Sequence, residues 1–454
     1  MDNNILKRKS YFVESRTFVF FCLMILVSVS SVFPQTNTVQ DSLLGKATLQ
    51  DCVQYALVNQ PSIQQSLLDE EIAAKEVHSK LADWFPQLNL NVNFQHNYRL
   101  QTSIIQGNLV RFGVINTSNA QFTLTQTIFD RDVLLASSTA GEVEQQAAQT
   151  TTEKKINLVV NVSKAFYSAL LSHEQLDLVN QDLTRLKQSQ QDAYYQYKSG
   201  VVDKTDYMRA TIAFNNAKAE QKQDSEAVKT SYSFLKEQMG YPDDKTLDLV
   251  YDRNEMENNI YVDTIRSIDF TKRIEYQLLQ TAKSLQESNL DYYDWSFIPS
   301  LSVFGAYNFN FMNDKLSELY QKNYPTSYIG LQLSFPIFEG GKRIQQIQQA
   351  SLELKRSEYD IQSFKNTASA NYVQALSSYK SNLNNYNVQK ENLDLAKQVY
   401  NTIELQYKSG IKTYLDVITA ETDLRTTEVN YISALYQVLS SKLDVQKALG
   451  EIKY

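Results

Sequence analysis

Few side chains in this 454-residue chain are spaced for chemistry. The histidines, His78, His96 and His173, stand apart from one another and from Cys52, and none forms the His-x-x-x-His pair that holds zinc on a helix face. There is no Walker-type glycine-rich loop, so the chain cannot itself hydrolyse nucleotide to drive a process. Gly340-Gly341 reads as a strand-to-helix connection. Asp243-Asp244 sits in a turn beside Pro242 with no other candidate catalytic group nearby. These absences predict no enzyme, no cofactor and no metal site. What recurs instead is a short polar motif followed by an acid: Gln196-Tyr-Lys-Ser-Gly200-Val201 with Asp206, and Gln406-Tyr-Lys-Ser-Gly410-Ile411 with Asp416. Val201 and Ile411 are apolar residues at a solvated turn, which suggests a partner surface.

The elements that must carry these motifs are long helices. The chain has 12 Gly and 7 Pro, where average usage gives roughly 30 and 20. Mean hydropathy is −0.40 with 43% hydrophobic residues, so apolar side chains are confined to narrow seams. The net charge of −7 and the lack of basic clusters exclude nucleic-acid binding. Residues 1–35 read as a secretory signal: Lys7, Arg8, Lys9 and Arg16 precede the apolar run Phe18 to Val29, followed by small residues. Its removal takes the net charge to −9 and leaves Cys52 as the single thiol, so no internal disulfide is expected. Nothing beyond it approaches the 18 or so consecutive apolar residues of a membrane helix.

Glycine placement exposes a duplication. Gly200 precedes Gly240 and Gly410 precedes Gly450 by the same interval. Thr127-Ile-Phe-Asp130 answers Pro336-Ile-Phe-Glu339, and Trp84-Phe-Pro86 answers Phe297-Ile-Pro299, with Trp295 close by. The predicted repeats are 36–260 and 261–454, each reading helix, strand, strand, long helix, helix. The first holds strands near 87–98 and 119–129, a long helix 130–199 and a helix 203–239. The second holds a helix to about 297, strands near 300–311 and 327–338, a long helix 339–409 and a helix 412–449. Coiled-coil seams run through Leu176, Val179, Leu183, Leu186, Ala193 and Tyr197, and through Leu424, Tyr431, Leu435, Val438, Val445 and Leu449.

The strands alternate apolar residues with Asn, Gln, Ser or Thr. Leu88, Leu90, Val92 and Phe94 form one stripe, and Ile329, Leu331, Leu333, Phe335 and Ile337 another. About ten residues per strand suits a tilted bilayer crossing with lipid on one face and water on the other. A half-buried sheet in a soluble domain alternates in the same way. Trp84, Phe85, Trp295 and Phe297 fall at the helix-to-strand junctions, where an interfacial aromatic girdle would lie. Four strands cannot close a membrane barrel, so several chains must share one, and three give twelve strands. Segments 99–118 and 312–326 would be the exterior loops. An exported helical rod of the cell envelope, without transport, is the competing reading of the helix pattern.

Thr48-Leu-Gln-Asp-Cys-Val-Gln-Tyr-Ala-Leu-Val-Asn-Gln-Pro61 and Gly410-Ile-Lys-Thr-Tyr-Leu-Asp-Val-Ile-Thr-Ala420 resemble signatures of TolC-like outer-membrane factors. The resemblance implies a mainly α chain with four membrane strands, closing as a homotrimer with a 12-stranded β-barrel in outer-membrane lipid and a 12-helix tunnel across the periplasm. Residues 36–47, 241–262 and 451–454 would belong to a belt around the tunnel. It implies a passive exit duct for efflux or type I secretion, whose tip (Gly200, Val201, Asp206, Gly410, Ile411) meets a periplasmic adaptor linked to an inner-membrane pump of RND, ABC or MFS type. By the same resemblance Asp416 is an acidic pore gate and Lys412 its basic neighbour. Thr419 replaces a second acid found in some members, and Asp423, one heptad after Asp416, is placed to compensate. The alternative for Asp416 is a helix cap, and for the other charges a solvated helix face.

Overall fold

Proline and glycine end the elements close to where the sequence places them. The computed structural model describes residues 44–454, and Gly45–Tyr454 form one unit. The expected signal segment and the belt residues 36–43 lie outside the described residues. In chain order the first half holds β1 (Lys46–Ala47), α1 (Leu49–Asn59), α2 (Pro61–Leu81), β2 (Gln87–His96), β3 (Gln101–Ile105), β4 (Asn108–Phe112), β5 (Asn116–Phe129), α3 (Arg131–Lys198) and α4 (Lys204–Met239). The segment that links the halves holds β6 (Asp248–Leu249) and α5 (Arg253–Asn258), and the second half holds α6 (Ile274–Asp294), β7 (Ser300–Asn313), β8 (Thr326–Ser334), α7 (Lys342–Lys408) and α8 (Tyr414–Leu449). Short 3₁₀ turns at Ala82–Trp84 and Trp295–Phe297 hand each helix over to Pro86 or Pro299 and a strand.

Helices α3 and α7, of 68 and 67 residues, are each about 100 Å long at roughly 1.5 Å per residue. Some boundaries differ from the sequence-based ones. Strand β8 stops at Ser334, so Phe335 and Ile337 fall beyond it. Pro336 lacks the N–H a ladder needs, and Gly340 and Gly341 then turn the chain at φ +61° and +85°, delaying α7 to Lys342. The exterior segment 99–118 holds a hairpin, β3–β4, turned at Gln106-Gly107 with φ 50° and 82°.

The main sheet runs β2-β5-β7-β8, all antiparallel. Its register sets Leu88, Leu124, Gly305 and Ile329 in one row and Leu90, Phe122 and Tyr307 in the next on the same face. The opposite face carries Asn91, Gln121, Asn308 and Thr326 across, with Gln121 donating to the Tyr328 hydroxyl at 3.2 Å and Asn119 to Asn310 at 3.2 Å. One face is mainly apolar, interrupted by Ser118 and Gln126, and the other is mainly polar and hydrogen-bonded. The edges, β2 and β8, have no further partner strand among the described residues.

The duplication is visible at single atoms. Gly240 and Gly450 end α4 and α8 in the left-handed conformation. A Cβ at Gly240 would lie 2.9 Å from the Asn59 carbonyl oxygen, and one at Gly450 would lie 2.8 Å from that of Lys272. Each helix end thus receives the backbone leading into the helix before its repeat's strands. β1 pairs in parallel with β6, tying residues 46–47 to the segment that links the two halves.

That linker is held to α7 by tyrosines one heptad apart. Tyr372 donates to the Arg266 carbonyl at 2.6 Å. Tyr379, fully buried, donates to the Ile260 carbonyl at 3.0 Å and accepts from the Val262 N–H at 3.1 Å. Lys390 bonds the Tyr386 hydroxyl and pairs with Glu257, which also accepts from Tyr431. A seven-residue spacing keeps these hydroxyls on one helix face against an irregular segment whose backbone groups need partners. Tyr379→Phe strands one carbonyl and one N–H, so thermal unfolding in detergent should show a loss of about 1–3 kcal/mol. Tyr359→Phe, on the exposed face of α7, should leave stability unchanged.

Candidate pore helix and tip

The two helical hairpins turn by the same chemistry. Gly200 and Gly410 take φ +74° and +77°, and the amides of Val201 and Ile411 reach back to Gln196 and Gln406, each at 2.9 Å. These are the carbonyls a helix end leaves unpaired. Val201 and Ile411 are each 73% exposed. The restarts differ. Asp203 caps α4 by accepting from the Thr205 N–H at 2.7 Å, whereas Thr413 caps α8 in a capping box with Asp416. Asp206 and Asp416 occupy the same helical position, but only Asp416 closes such a box.

Asp416 accepts from the Thr413 amide at 2.9 Å and hydroxyl at 2.8 Å, with Lys412 Nζ 3.8 Å away in the same chain. The Thr413 hydroxyl and then its backbone amide hold the Asp416 carboxyl below the usual carboxylate range. The capping alternative is therefore realised in the single chain. Asp416, Thr419 and Asp423 recur every three to four residues and share one solvent-accessible stripe of α8, with Lys412 in the turn just before the helix. Thr419, Thr422 and Thr426 along it return their hydroxyls to carbonyls four residues back.

Tyr414 joins the two hairpins just above the tip. It packs with Ala193 and Ala210 in a small core, and its hydroxyl meets that of Ser189 at 2.7 Å. Tyr197, expected in the α3 seam, is instead exposed and stacks on Tyr207. Asp182 rather than Leu183 takes the buried seam position, its side chain only 3% exposed. It is paired with Arg185 and faces Arg425 of α8 at 3.8 Å, while Arg185 reaches Glu421 at 3.4 Å and Arg425 reaches Glu220 of α4 at 2.9 Å. Burial pushes the carboxyls of Asp182 and Glu421 upward against the pull of these arginines. The network lines a cleft of about 560 Å³ between α3, α4 and α8. The visible signal was an acid beside a seam leucine, with Arg425 beside Leu424 on α8.

Phe85 and Phe297 are exposed at the helix-to-strand junctions, with Trp84 and Trp295 beside them, and Arg343 stacks 4.6 Å over the Phe297 ring. Among the described residues no group of three or more His, Cys, Asp or Glu side chains is placed to hold a metal ion. None of their helices is long and apolar enough to cross a membrane.

A sheet wet on one face and apolar on the other, joined end-on to duplicated helical hairpins about 100 Å long, defines a β-barrel duct with a helical extension. The chain matches the outer membrane efflux protein family over residues 52–240 and 275–451 and belongs to it. It is 21% identical to outer membrane protein TolC of Vibrio cholerae, over 90% of this chain and 92% of that one. It is 20% identical to the alkaline protease secretion protein AprF of Pseudomonas aeruginosa, over 89% and 83%. Among solved structures, the channel CusC superposes with a TM-score of 0.72 at 16% identity, covering 88% of this chain and 91% of that one. The protein is an outer-membrane exit duct that extends into the periplasm.

Losing one member of the buried network leaves a charge unpaired. Arg425→Ala should destabilise the protein by about 3 kcal/mol in detergent melts. Combining Asp182→Asn with Arg425→Leu should recover most of that loss, since no buried charge is then left without a partner.

Proposed function

We propose that the protein works as a homotrimer, as the passive outer-membrane duct of a tripartite efflux or type I secretion assembly. The observation that carries this reading is the four-stranded sheet with an apolar face and two open edges. Unpaired strand edges are forbidden in lipid, and copies of the chain satisfy them by pairing β8 of one with β2 of the next. The resemblance to AprF supports secretion and that to TolC supports an exit-duct role in general. A non-transport rod has no use for such a sheet, and a duct needs no catalytic group or cofactor of its own.

The exposed Val201 and Ile411 at the two Gly turns support a tip that meets a periplasmic adaptor, through which an inner-membrane pump is engaged. The α8 stripe of Asp416, Thr419 and Asp423, with Lys412 in the turn before it, supports a pore-lining role for α8, with three Asp416 carboxylates forming an acidic constriction. Lys412 beside it moderates the charge within each chain.

Mass measurement in detergent should find three copies, and a folded monomer would overturn the shared barrel. Gly410→Leu, strained at its positive φ, should weaken adaptor binding in pull-down while trimers still assemble. In planar bilayers Asp416→Asn should lower cation selectivity and weaken block by multivalent cations. Within one chain the folded Asp416 value is depressed, so its cap holds down through the usual carboxylate range and its stabilising contribution is lost only as pH falls through the lower folded value. Unchanged selectivity in Asp416→Asn would leave this residue a cap alone.

A further inference from the structure

The β3–β4 hairpin is not needed to close a barrel. It forms its own two-stranded sheet at the end of the membrane strands opposite the long helices, and no other helix or strand packs substantially against it. An isolated two-stranded ribbon is marginal in water. This one nevertheless exposes Ile104 and Leu109 at 71% and 77%, paired directly across its tip. Arg111, paired with Thr102, lies two residues back on the same face, about 7 Å nearer the barrel at 3.4 Å per residue. Tyr98, 94% exposed, and Arg99 precede β3.

The charge pattern is one-sided. Between Asp83 and Asp130 there is no Asp or Glu, and Arg99 and Arg111 are the segment's two formal charges. Neither arginine has an ion-pair partner among the described residues. The other exterior loop carries mixed charges, with Lys315 paired to Glu318 at 3.0 Å.

We propose that the β3–β4 hairpin is a lipid anchor, dipping Ile104 and Leu109 into the outer leaflet around the barrel while Arg99 and Arg111 bind the anionic phosphates of its headgroups. Charge complementarity and continuity with the lipid-facing strands β2 and β5 select this occupant. The spacing of apolar tip and cation matches the roughly 5–10 Å depth to which interfacial elements bury their apolar face. Guanidinium groups bind phosphate oxygens through paired N–H donors. The anchor rests on the membrane-barrel reading, and the test separates the two.

The full mature protein is placed in nanodiscs of phosphatidylcholine alone, or of phosphatidylcholine with phosphatidylglycerol or with bisphosphorylated lipid A. An environment-sensitive fluorophore is attached at Leu109→Cys or, as a barrel control, at Ile329→Cys. Cys52 is buried with its thiol pushed up to about 12, so it stays unlabelled. The Ile329 label should be quenched by doxyl-lipid in every disc, and if it is not, the barrel reading itself fails. The quenched-to-unquenched ratio of the Leu109 label should rise about fivefold or more from neutral to either anionic disc. Arg99→Gln with Arg111→Gln should return it to the neutral value. Three results would overturn the anchor while the control is quenched: a Leu109 label unquenched in all discs, which leaves the hairpin free for a soluble partner; equal quenching in neutral and anionic discs; or copy-to-copy cross-linking of Leu109→Cys without lipid quenching, which puts the hairpins together over the pore mouth.

Discussion

A backbone amide in hydrocarbon has no water to fall back on, and the unpaired edges of β2 and β8 carry a row of such groups. Among the described residues no other strand pairs with them. The alternation of apolar and Asn/Gln positions, the antiparallel order of the strands and the requirement for further copies all follow from that demand. The helices inherit it. Each strand pair feeds a helical hairpin at its periplasmic end, so the circumference set by the sheet also sets how many helices must ring the tunnel.

Where the solvent changes from lipid to water, the way the molecule holds itself together changes too. In the membrane the register alone aligns the apolar rows. Along the helices the seams are thin, and polar groups supplement them at two levels. Near the belt, tyrosines on α7 satisfy the backbone of the linker between repeats. Nearer the tip, Asp182, Arg185, Glu421 and Arg425 tie α3 to α8. The second tie is costlier to bury than a leucine seam, and it ties two hairpins only while its charges remain matched.

The strands and the α8 seam were legible in the sequence because their physics is periodic. Leu424, Tyr431, Leu435, Val438, Val445 and Leu449 are all buried as the heptad predicts. The α3 seam was read less well, since periodicity alone favours Leu183 over the adjacent Asp182. An acid enters such a position only when arginines from two helices converge on it, and convergence is tertiary. The β3–β4 ribbon escaped for the opposite reason. Apolar residues occur on both of its faces, so no alternation marks it, and only Gln106-Gly107 signals the turn. Asp416 shows a third limit: the same residue type at the same position suits a helix cap and the proposed pore charge, and spacing cannot separate the two.

The equivalent contacts of Gly240 and Gly450 have a consequence for ancestry and symmetry. Within one chain, β5 already pairs antiparallel with β7 across the boundary between repeats, in the way that β8 must pair with β2 of a neighbour. The proposed trimer would then be a pseudo-sixfold object of six nearly equivalent sectors, and a chain holding one sector would meet the same closure rule with six copies. Fusing two sectors frees them to diverge. The Asp203 cap on one hairpin and the Thr413–Asp416 box on the other record that freedom: within one chain the two hairpins no longer begin their return helices alike.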